Sequence, residues 1–511
     1  MKRSALLTIG GLTLAGSAAA VALLSAGAFV ATPGTALAKA KAPSGDCAAM
    51  ATPGRFAQTK VTSAKWIAAE AAKGVPAYCE VTAVVSPVPT SKIGVVYRLP
   101  AGWNGKMLGL GGGGWAGNVR IEGALPGLKR GYATAQTDGG HESTSPWDTA
   151  WASNPESISD FSYRAIHLMT STGKTVVKSY YGKGQSEAYY QGCSTGGRQG
   201  LMEVQRFPND YDGVIAGAPV YNLLVQTSAV IRNQIFGAPG AGFTADQFKM
   251  VNDAVLKACD AQDGLADGLI NDPRACSWDP AEIQCKPGAP GAQCLSEAQV
   301  TALRAAYSGV QEIDGRQAAW PLARGGEPGW SRFIQTSTGA QDATNGGGFG
   351  GLRGPLLGDP NFDMSKFDHT VHLAAVRSSA FARAYEANDP AIGAFASHGK
   401  LLMWHGWSDP GPSPIGTIAY DRNVTGAVPQ AQSNVRLFMA PGVYHCGGGP
   451  GPDQIDLLGA LDRWVKTGRA PETLLATKAD SKISRPLCAY PKVAHYKGAG
   501  DPDAAENFEC R

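Results

Sequence analysis

The chain has 511 residues, a length that predicts two domains rather than one simple core. It carries 45 Lys and Arg against 42 Asp and Glu, so its net charge of +3 indicates neither a nucleic-acid-binding surface nor an acidic partner. Nucleic acid is therefore not expected among its partners.

The N-terminal residues 1–38 have the pattern of a signal peptide. Lys2 and Arg3 form a basic start, residues 5–30 are apolar and small, and residues 36–38 read Ala-Leu-Ala, a cleavage site. The apolar run is long enough to span a membrane, which leaves a membrane anchor as the alternative. Its Gly, Ala and Ser content and the cleavage site favour a signal peptide that is removed over a membrane anchor that is kept. We therefore expect a secreted protein, extracellular or periplasmic, without membrane association after cleavage.

Ten cysteines in an exported chain predict five disulfides, although spacing alone does not fix the pairing. Closeness in sequence makes local loops plausible for four pairs: Cys47 with Cys79, Cys259 with Cys276, Cys285 with Cys294, and Cys488 with Cys510. Cys193 and Cys446 remain, far apart in sequence. Each lies beside a residue with a candidate catalytic role.

The first part of the mature chain predicts a sheet that runs into a glycine-rich loop. Strands are expected at residues 81–88, 93–100 and 106–110, and residues 111–117 follow the third strand with the sequence GGGGWAG. A glycine run after a strand lets backbone N–H groups approach a ligand closely. The adjoining strand and Trp115 favour an ordered loop over a flexible linker. In α/β-hydrolases the loop at this place supplies an oxyanion donor.

Strands and helices then alternate to about residue 220. Residues 132–137 predict a strand and residues 157–181 a helix with its apolar side chains on one face, ended by Gly182. His167 lies inside this helix and is interpreted as structural. A further buried strand is expected within residues 211–219. Such alternation is typical of a mostly parallel sheet.

A short segment between a predicted strand at 187–191 and a predicted helix at 198–205 has the spacing of a nucleophile elbow, Gly192-x-Ser194-x-Gly196. A turn this tight crowds its neighbours, which is why glycines flank it. The turn lifts the Ser194 hydroxyl off the sheet edge. A Gly/Ser-rich turn without chemistry stays open on this motif alone, because the same spacing arises by chance.

Residues 221–390 interrupt the α/β pattern and are interpreted as an inserted lid domain. Within them Asp260, Asp263 and Asp267 belong to an acidic loop whose carboxylates and carbonyls suit Ca²⁺. The loop is not an EF-hand, since no Glu stands at the twelfth position. A solvated acidic turn is the alternative.

The α/β pattern resumes at residues 400–404, and Asp409 follows just past this strand, where it is placed to orient a histidine. His445 lies in a glycine-rich loop after the last clear strand, residues 435–440. The order Ser194, Asp409, His445 is the order of the α/β-hydrolase fold, whereas other serine hydrolase folds permute it. His445 would take the serine proton, and Asp409 would hold the imidazole tautomer.

The expected fold class is therefore α/β: an α/β-hydrolase fold with a mostly parallel sheet and a large inserted lid domain. Residues 39–220 and 391–511 are expected to form the catalytic domain, and residues 221–390 the lid with the acidic loop. A closing helix is expected at residues 455–466.

The sequence resembles the tannase/feruloyl esterase family in three separated places. They match the CS–D–HC arrangement of that family and are Cys193-Ser194, Asp409 and His445-Cys446. This family includes the mono(2-hydroxyethyl) terephthalate hydrolases, and the resemblance covers essentially the mature chain. In the family the adjacent cysteines form a disulfide under the active site, which implies a Cys193–Cys446 bond here.

The resemblance also implies a structural Ca²⁺ in the lid. Its ligands would be the carboxylates of Asp260, Asp263 and Asp267 and the carbonyls of Leu265 and Leu269.

The oxyanion donors implied by the resemblance are the backbone N–H groups of Gly114 and Thr195. His405 matches a family histidine that lines the substrate pocket. In the lid, Trp330 and Phe333 are suited to stacking on an aromatic acyl ring.

The resulting expectation is a secreted serine esterase that cleaves aromatic carboxylic esters of the hydroxycinnamoyl (feruloyl) type through an acyl-enzyme. A tannase acting on galloyl esters and a mono(2-hydroxyethyl) terephthalate hydrolase remain alternatives, the latter with Arg324, Arg332 or Arg353 as a lid arginine for the free carboxylate. Outside the family, a secreted serine peptidase and an inactive binding protein on the same fold stay open. Oligomeric state is left open.

Overall fold

The computed structural model describes residues 45–288, 293–334 and 346–511. The predicted signal peptide, residues 1–38, lies outside the described residues. Among the described helices, none has both the length and the apolar composition that crossing a bilayer requires.

Strands and helices alternate along the described chain as the sequence predicts. The strands are β1 Thr59–Ile67, β2 Tyr78–Val85, β3 Ile93–Pro100, β4 Lys106–Leu110, β5 Ala133–Thr137, β6 Glu187–Cys193, β7 Gly213–Gly217, β8 Val310–Gln311, β9 Gln317–Ala319, β10 Lys400–Gly406, β11 Val435–Ala440, β12 Gln454–Ile455, β13 Thr473–Thr477, β14 Ser484–Cys488, β15 Ala494–Tyr496 and β16 Phe508–Cys510. The α-helices are α1 Ile121–Lys129, α2 Pro155–Ser159, α3 Ala165–Tyr181, α4 Thr195–Arg206, α5 Leu224–Gly237, α6 Ala245–Cys259, α7 Glu297–Ser308, α8 Arg353–Leu357, α9 His369–Ser378, α10 Ala380–Tyr385, α11 Gly393–Ala396, α12 Pro414–Ala427, α13 Ala431–Asn434 and α14 Leu457–Thr467.

The central sheet of the described residues has nine strands in the order β1-β2-β3-β5-β4-β6-β7-β10-β11. The strands from β1 to β5 in this order pair antiparallel, and every pair from β5–β4 to β10–β11 is parallel. The prediction of a mostly parallel α/β sheet is therefore confirmed. Strands β7 and β10 are neighbours although the whole inserted segment separates them in sequence.

Burial explains why these segments form strands. Inner strands such as β4 and β7 are buried along their whole length, because helices cover both faces of the parallel part. One apolar cluster includes residues of α3 and α12, and another includes residues of α1 and α14. The residues of the edge strand β1 do not alternate regularly between buried and exposed positions. Sequence analysis missed this strand because regular alternation is the signal for a half-buried strand.

The predicted helix at residues 157–181 is divided in the structure. Helix α2 ends at Ser159, a π-helical turn covers Asp160–Arg164, and α3 continues to Tyr181. The predicted end is confirmed, because Gly182 adopts a φ of 73°, the left-handed conformation of a C-cap.

The segment between β7 and β10 is mainly helical, and it builds an apolar cluster of its own around Phe236, Phe248 and Trp330. The disulfides Cys259–Cys276 and Cys285–Cys294 lie within it. Both it and the sheet belong to one unit, Lys41–Arg511. The predicted boundaries 39–220, 221–390 and 391–511 stay predictions.

The backbone is closely packed at the junction of β6 and α4. A Cβ atom on Gly192 would lie 2.4 Å from the backbone carbon and oxygen of Gly196, and one on Gly197 would lie 2.3 Å from the carbonyl oxygen of Gly217. The atoms that such a Cβ would meet belong to the backbone, so they cannot move aside as the end of a side chain could. The glycines therefore set the angle between strand and helix.

We expect Gly192→Ala to destabilise the protein and to displace α4 from β6, because its methyl group meets backbone on the next turn. Core overpacking of this kind costs about 1–3 kcal/mol. Gly184→Ala is the matched control, since a Cβ there meets nothing within 4 Å. Melting temperatures of the two variants and the wild type measure the effect. An unchanged melting temperature in Gly192→Ala would contradict the packing described here.

Candidate active site

Three side chains from distant parts of the sequence form a hydrogen-bonded relay. Nε2 of His445 lies 2.9 Å from Oγ of Ser194, and Nδ1 of His445 lies 2.7 Å from Oδ2 of Asp409. Ser194 follows β6, Asp409 follows β10 and His445 follows β11, so all three lie at the carboxyl edge of the parallel sheet. The structure thus brings together the three residues that the sequence proposes.

The charge of Asp409 fixes the direction of the relay. Burial opposes ionisation of this carboxylate, but the charge of His445 and hydrogen bonds from two imidazoles outweigh burial and lower the pKa of Asp409 to about 2. The ionised carboxylate only accepts hydrogen bonds, so Nδ1 of His445 carries a proton. Nε2 of neutral His445 is then a free acceptor for the Ser194 hydroxyl.

Two further residues support Asp409 from the protein interior. Nε2 of His405 lies 3.1 Å from Oδ2 of Asp409 and 3.1 Å from the carbonyl oxygen of Pro412. Two acceptors at one nitrogen indicate that this nitrogen carries the proton. Arg232 is also buried and interacts electrostatically with Asp409, and its guanidinium donates to the Gly411 carbonyl at 2.9 Å. Burial lowers the pKa of Arg232 to about 10, so it remains charged at neutral pH.

Ser194 has a strained backbone, with φ of 62° and ψ of −122°. This conformation is rare for a residue with a side chain, and the hydrogen bond from its N–H to the Gly217 carbonyl at 3.0 Å helps to hold it. Thr195 is the first residue of α4, and N–H groups in the first turn of a helix have no partner within the helix. The Thr195 N–H is therefore available beside the serine hydroxyl.

The glycine-rich loop after β4 is fixed to α4 by two hydrogen bonds. The Thr195 hydroxyl donates to the Gly114 carbonyl at 2.8 Å, and the Gly112 N–H donates to Oε1 of Gln199 at 2.9 Å. Gly114 has a φ of +58°, and a Cβ there would lie 2.6 Å from the Pro146 carbonyl oxygen. Gly114, Ser194 and Thr195 line the same pocket, so the two proposed oxyanion donors lie beside the serine.

The disulfide Cys193–Cys446 lies under this site, with its Cα atoms 6.0 Å apart and a sequence separation of 253. It joins the residue before Ser194 to the residue after His445. The four local bonds also form as predicted. All ten cysteines are therefore paired as the sequence and the family resemblance predict.

Above Ser194 the described residues enclose a pocket of about 470 Å³, a size typical of small-molecule sites. Phe333 forms part of its wall, and its ring meets the His445 ring edge-on with centroids 5.3 Å apart. Trp147 lies on the same wall with 53% of its surface exposed. Arg232 and Arg332 are the charged side chains among the described lining residues, apart from the titratable His445.

The predicted pocket positions of His405 and Trp330 are wrong. His405 is fully buried behind Asp409, with Nδ1 2.7 Å from Oγ1 of Thr417 on α12, because its side chain points away from the serine. Trp330 is 1% exposed and packs edge-on against Phe248 inside the inserted segment, since burial of a large apolar indole is favourable. Phe333 lies in the pocket as expected, and its role in substrate binding stays a prediction.

Sequence reasoning missed two residues of the pocket, Trp147 and Arg232. Both come from segments without a motif, and only tertiary packing brings them near Ser194. Arg332 was one of three lid arginines that the sequence left open. Of these, Arg332 lies in the pocket wall, whereas Arg324 donates to the Trp278 carbonyl and Arg353 to the Pro360 carbonyl.

The acidic loop after α6 has the donor chemistry of a calcium site. Oδ1 of Asp260 is buried without a hydrogen-bond partner. Burial raises the pKa of Asp260 and, with repulsion from Asp267 and Asp260, raises that of Asp263 to about 6. Arg485 forms an ion pair with Asp267, which neutralises one of the three carboxylates. A hard cation takes such oxygen ligands, and Asp267 would then be shared between the ion and Arg485.

Comparison with known proteins extends over nearly the whole described chain. Residues 79–511 match the family described as tannase and feruloyl esterase. The mono(2-hydroxyethyl) terephthalate hydrolase of Piscinibacter sakaiensis is 32% identical, with 89% of each chain covered, and feruloyl esterase B of Aspergillus niger is 31% identical over 84% of this chain and 86% of that one. The crystal structure of feruloyl esterase B from Aspergillus oryzae matches with a TM-score of 0.83 at 26% identity, covering 91% of this chain and 99% of that chain.

We expect replacement of both Cys193 and Cys446 by serine to lower ester turnover more than it changes secondary structure. The bond joins residues with a sequence separation of 253, and the chain-entropy model assigns a cross-link of that length a stabilisation of about 5.5 kcal/mol. Its loss frees the elbow from the His445 loop. Turnover and far-ultraviolet circular dichroism of the double variant measure the two effects.

The variant lacking Cys285 and Cys294 is the control, because that disulfide closes a short loop in the inserted segment. Non-reducing peptide mapping should recover a peptide that links Cys193 to Cys446. Recovery of either cysteine bonded to another partner would contradict the geometry of the site.

Proposed function

The chain belongs to the tannase and feruloyl esterase family of carboxylic ester hydrolases, and we propose that it is a secreted serine esterase acting on aromatic esters. The observation that carries the catalytic part is the continuous relay from Ser194 through His445 to Asp409, with hydrogen bonds of 2.9 and 2.7 Å. It faces a pocket large enough for an aromatic acyl group.

In the proposed mechanism, Oγ of Ser194 attacks the ester carbonyl carbon while Nε2 of His445 takes the hydroxyl proton. Negative charge then develops on the carbonyl oxygen. The N–H groups of Gly114 and Thr195 are the proposed donors to that oxygen, and the N-terminus of α4 adds the positive end of its dipole.

Collapse of the tetrahedral intermediate expels the alcohol, which receives the proton from His445. Water then attacks the acyl-enzyme with His445 again as base, and His445 returns the proton to Oγ of Ser194 as the acid leaves. Asp409 stabilises the imidazolium in both steps, and His405 and Arg232 keep Asp409 ionised and in position.

We expect Ser194→Ala and His445→Ala each to lower kcat for an ester of an aromatic acid by about 10⁴-fold or more, because each removes a member of the relay. Asp409→Asn should lower kcat somewhat less. The amide retains the volume but loses the charge that stabilises the imidazolium. Purified variants, checked for an unchanged circular dichroism spectrum, are assayed with methyl ferulate. Near-normal turnover by Ser194→Ala would overturn the proposed nucleophile.

Hydroxycinnamoyl esters are the first choice of substrate. Two relatives named feruloyl esterase B, one matched by sequence and one by structure, support this choice. The rings of Phe333 and Trp147 in the pocket wall can contact an aromatic acyl group. Galloyl esters remain an alternative within the family.

A second candidate substrate is a terephthalate monoester. Arg332 favours it, because a guanidinium in the pocket wall can pair with the free carboxylate of such a monoester. A relative named mono(2-hydroxyethyl) terephthalate hydrolase is 32% identical to this chain. The pocket therefore contains groups for an aromatic ring and for a carboxylate.

A panel of methyl ferulate, methyl gallate, mono(2-hydroxyethyl) terephthalate and a peptide anilide separates the candidates. We expect the highest kcat/KM for methyl ferulate and no cleavage of the anilide. In Arg332→Met, terephthalate monoester cleavage should fall by at least about 10-fold while methyl ferulate cleavage changes little, since only the former has an anion to pair. Arg353→Met, outside the pocket lining, is the control. Preferred cleavage of the anilide would instead favour a peptidase.

Secretion is supported by the N-terminal sequence pattern and by five disulfides, which persist in oxidising compartments. The proposed location is extracellular or periplasmic.

A structural Ca²⁺ in the acidic loop is also part of the proposal. Asp260, Asp263 and Asp267 would supply carboxylate ligands, and the carbonyls of Leu265 and Leu269 would complete the set. Bound there, the ion would neutralise buried negative charge and hold the loop at the end of α6.

Chelation of Ca²⁺ is expected to lower the melting temperature, because an ion that binds only the folded protein stabilises it by about 2.7 kcal/mol at 100 times its Kd. Asp263→Asn should lose this response. Asp253→Asn is the control and should keep it, because Asp253 is an exposed carboxylate on α6, before the acidic loop, paired with Lys249. If elemental analysis finds no calcium and chelation leaves melting unchanged, the loop is a solvated turn.

A further inference from the structure

A second group of side chains that can ligate a metal lies around the C-terminal end of α4, remote from Ser194. His167 on α3, Glu203 on α4 and Asp210 after α4 each place one ligand atom within 4.8 Å of the ligand atoms of the other two. Glu203 lies nine residues after Ser194, about 13 Å along a helix. The proposed ester hydrolysis uses none of these three residues.

Glu203 is the unusual member of this group. It is 1% exposed, and neither of its carboxylate oxygens accepts a hydrogen bond from a donor group of the described residues. An ionised carboxylate without a donor or a cation is strongly unfavourable in the protein interior. The carboxyl group of Asp210 lies within hydrogen-bonding reach of Glu203, where two ionised carboxylates repel one another unless they share a proton or a cation.

The neighbouring polar groups do not satisfy Glu203. Lys174 acts on it electrostatically, but its ammonium donates to the Asn209 carbonyl at 3.3 Å. The hydroxyl of Tyr190 donates to the Gly196 carbonyl at 2.9 Å, and the hydroxyl of Tyr211 bonds to Thr170. Glu203 therefore lacks a counterion in direct contact.

We propose that His167, Glu203 and Asp210 bind a divalent transition-metal ion of the Zn²⁺ class. One imidazole and two carboxylates form a donor set that suits Zn²⁺, whereas Ca²⁺ prefers oxygen ligands alone. A water molecule would complete four-coordination. The ion would neutralise both carboxylates and give one Glu203 oxygen the partner that it lacks.

Binding of one ion requires the His167–Asp210 pair to open slightly and the Glu203 oxygen, which lies within 4.8 Å of both partners, to move toward them. Nδ1 of His167 lies 2.7 Å from Oδ2 of Asp210. Two ligand atoms about 2.0–2.2 Å from one Zn²⁺ in tetrahedral geometry are roughly 3.3 Å apart, so the pair must open by about half an ångström. The His167 ring stacks on Phe207 with centroids 4.0 Å apart, which holds its orientation. Its side chain is 32% exposed, so an ion can reach it from solvent.

Such an ion would connect α3, α4 and the loop that leads into β7. Its role would be structural, because it lies at the opposite end of α4 from the reacting hydroxyl. This proposal does not depend on the identity of the ester substrate or on the acidic loop.

The test uses the full purified chain, stripped with a chelator and dialysed against Zn²⁺ in the presence of excess Ca²⁺. We expect the wild type to bind about one Zn²⁺ per chain more than Glu203→Gln, which keeps the volume of the side chain but removes its charge. His167→Gln should also bind one Zn²⁺ per chain fewer than the wild type. Because His167 is partly exposed, its replacement should disturb folding less than replacement of the buried Glu203. Circular dichroism confirms the fold of each variant.

His372→Gln is the matched control, an imidazole on α9 outside the group, and it should bind as much Zn²⁺ as the wild type. Co²⁺ in place of Zn²⁺ should give a visible absorption band in the wild type that is absent from both variants.

Equal Zn²⁺ uptake by the wild type, Glu203→Gln and His167→Gln would overturn the proposal. So would a Glu203→Gln variant that melts higher than the wild type while neither binds Zn²⁺. That result would show that a proton shared between Glu203 and Asp210, rather than a metal ion, satisfies the pair.

Discussion

The active site depends on one buried carboxylate that stays ionised. Asp409 is 2% exposed, and a buried charge is stable only when donors are directed at it. His445, His405 and the Gly411 N–H supply those donors from three places in the chain. Because Asp409 can only accept, the proton of His445 must lie on Nδ1, and Nε2 is left to act as base. The orientation of the serine relay follows from this single charge.

The parallel half of the sheet brings the site together. Strands β4, β6, β7, β10 and β11 are consecutive neighbours and run in one direction, so the loops after them open on the same edge. The glycine loop, the elbow, Asp409 and His445 occupy four of these loops. A disulfide then fixes the two loops that must exchange a proton, since Cys193 and Cys446 adjoin Ser194 and His445. Strand order and one covalent bond thus provide most of the preorganisation.

Helix α4 and its contacts keep a strained backbone turn and a buried charge in place. Ser194 before it has a φ of 62°, and Arg198 within it is fully buried. Arg198 donates to the carbonyls of Phe161 and Ser162, and its guanidinium stacks on Tyr385 at 4.2 Å. These contacts anchor the helix to the π-helical turn before α3 and to α10. A rigid helix is needed here, because a strained turn persists only where its surroundings determine it fully.

The sequence by itself determined the features that depend on a few neighbouring residues. Alternation and glycine punctuation located strands such as Ile93–Pro100 and Val435–Ala440, and motif order identified the relay. Only the tertiary structure decided which way individual side chains point. His405 faces Asp409 rather than the pocket, Trp330 lies in the core of the inserted segment, and Arg232 reaches the pocket from α5. Local spacing cannot encode such directions, because they are set by packing partners that lie far away in the sequence.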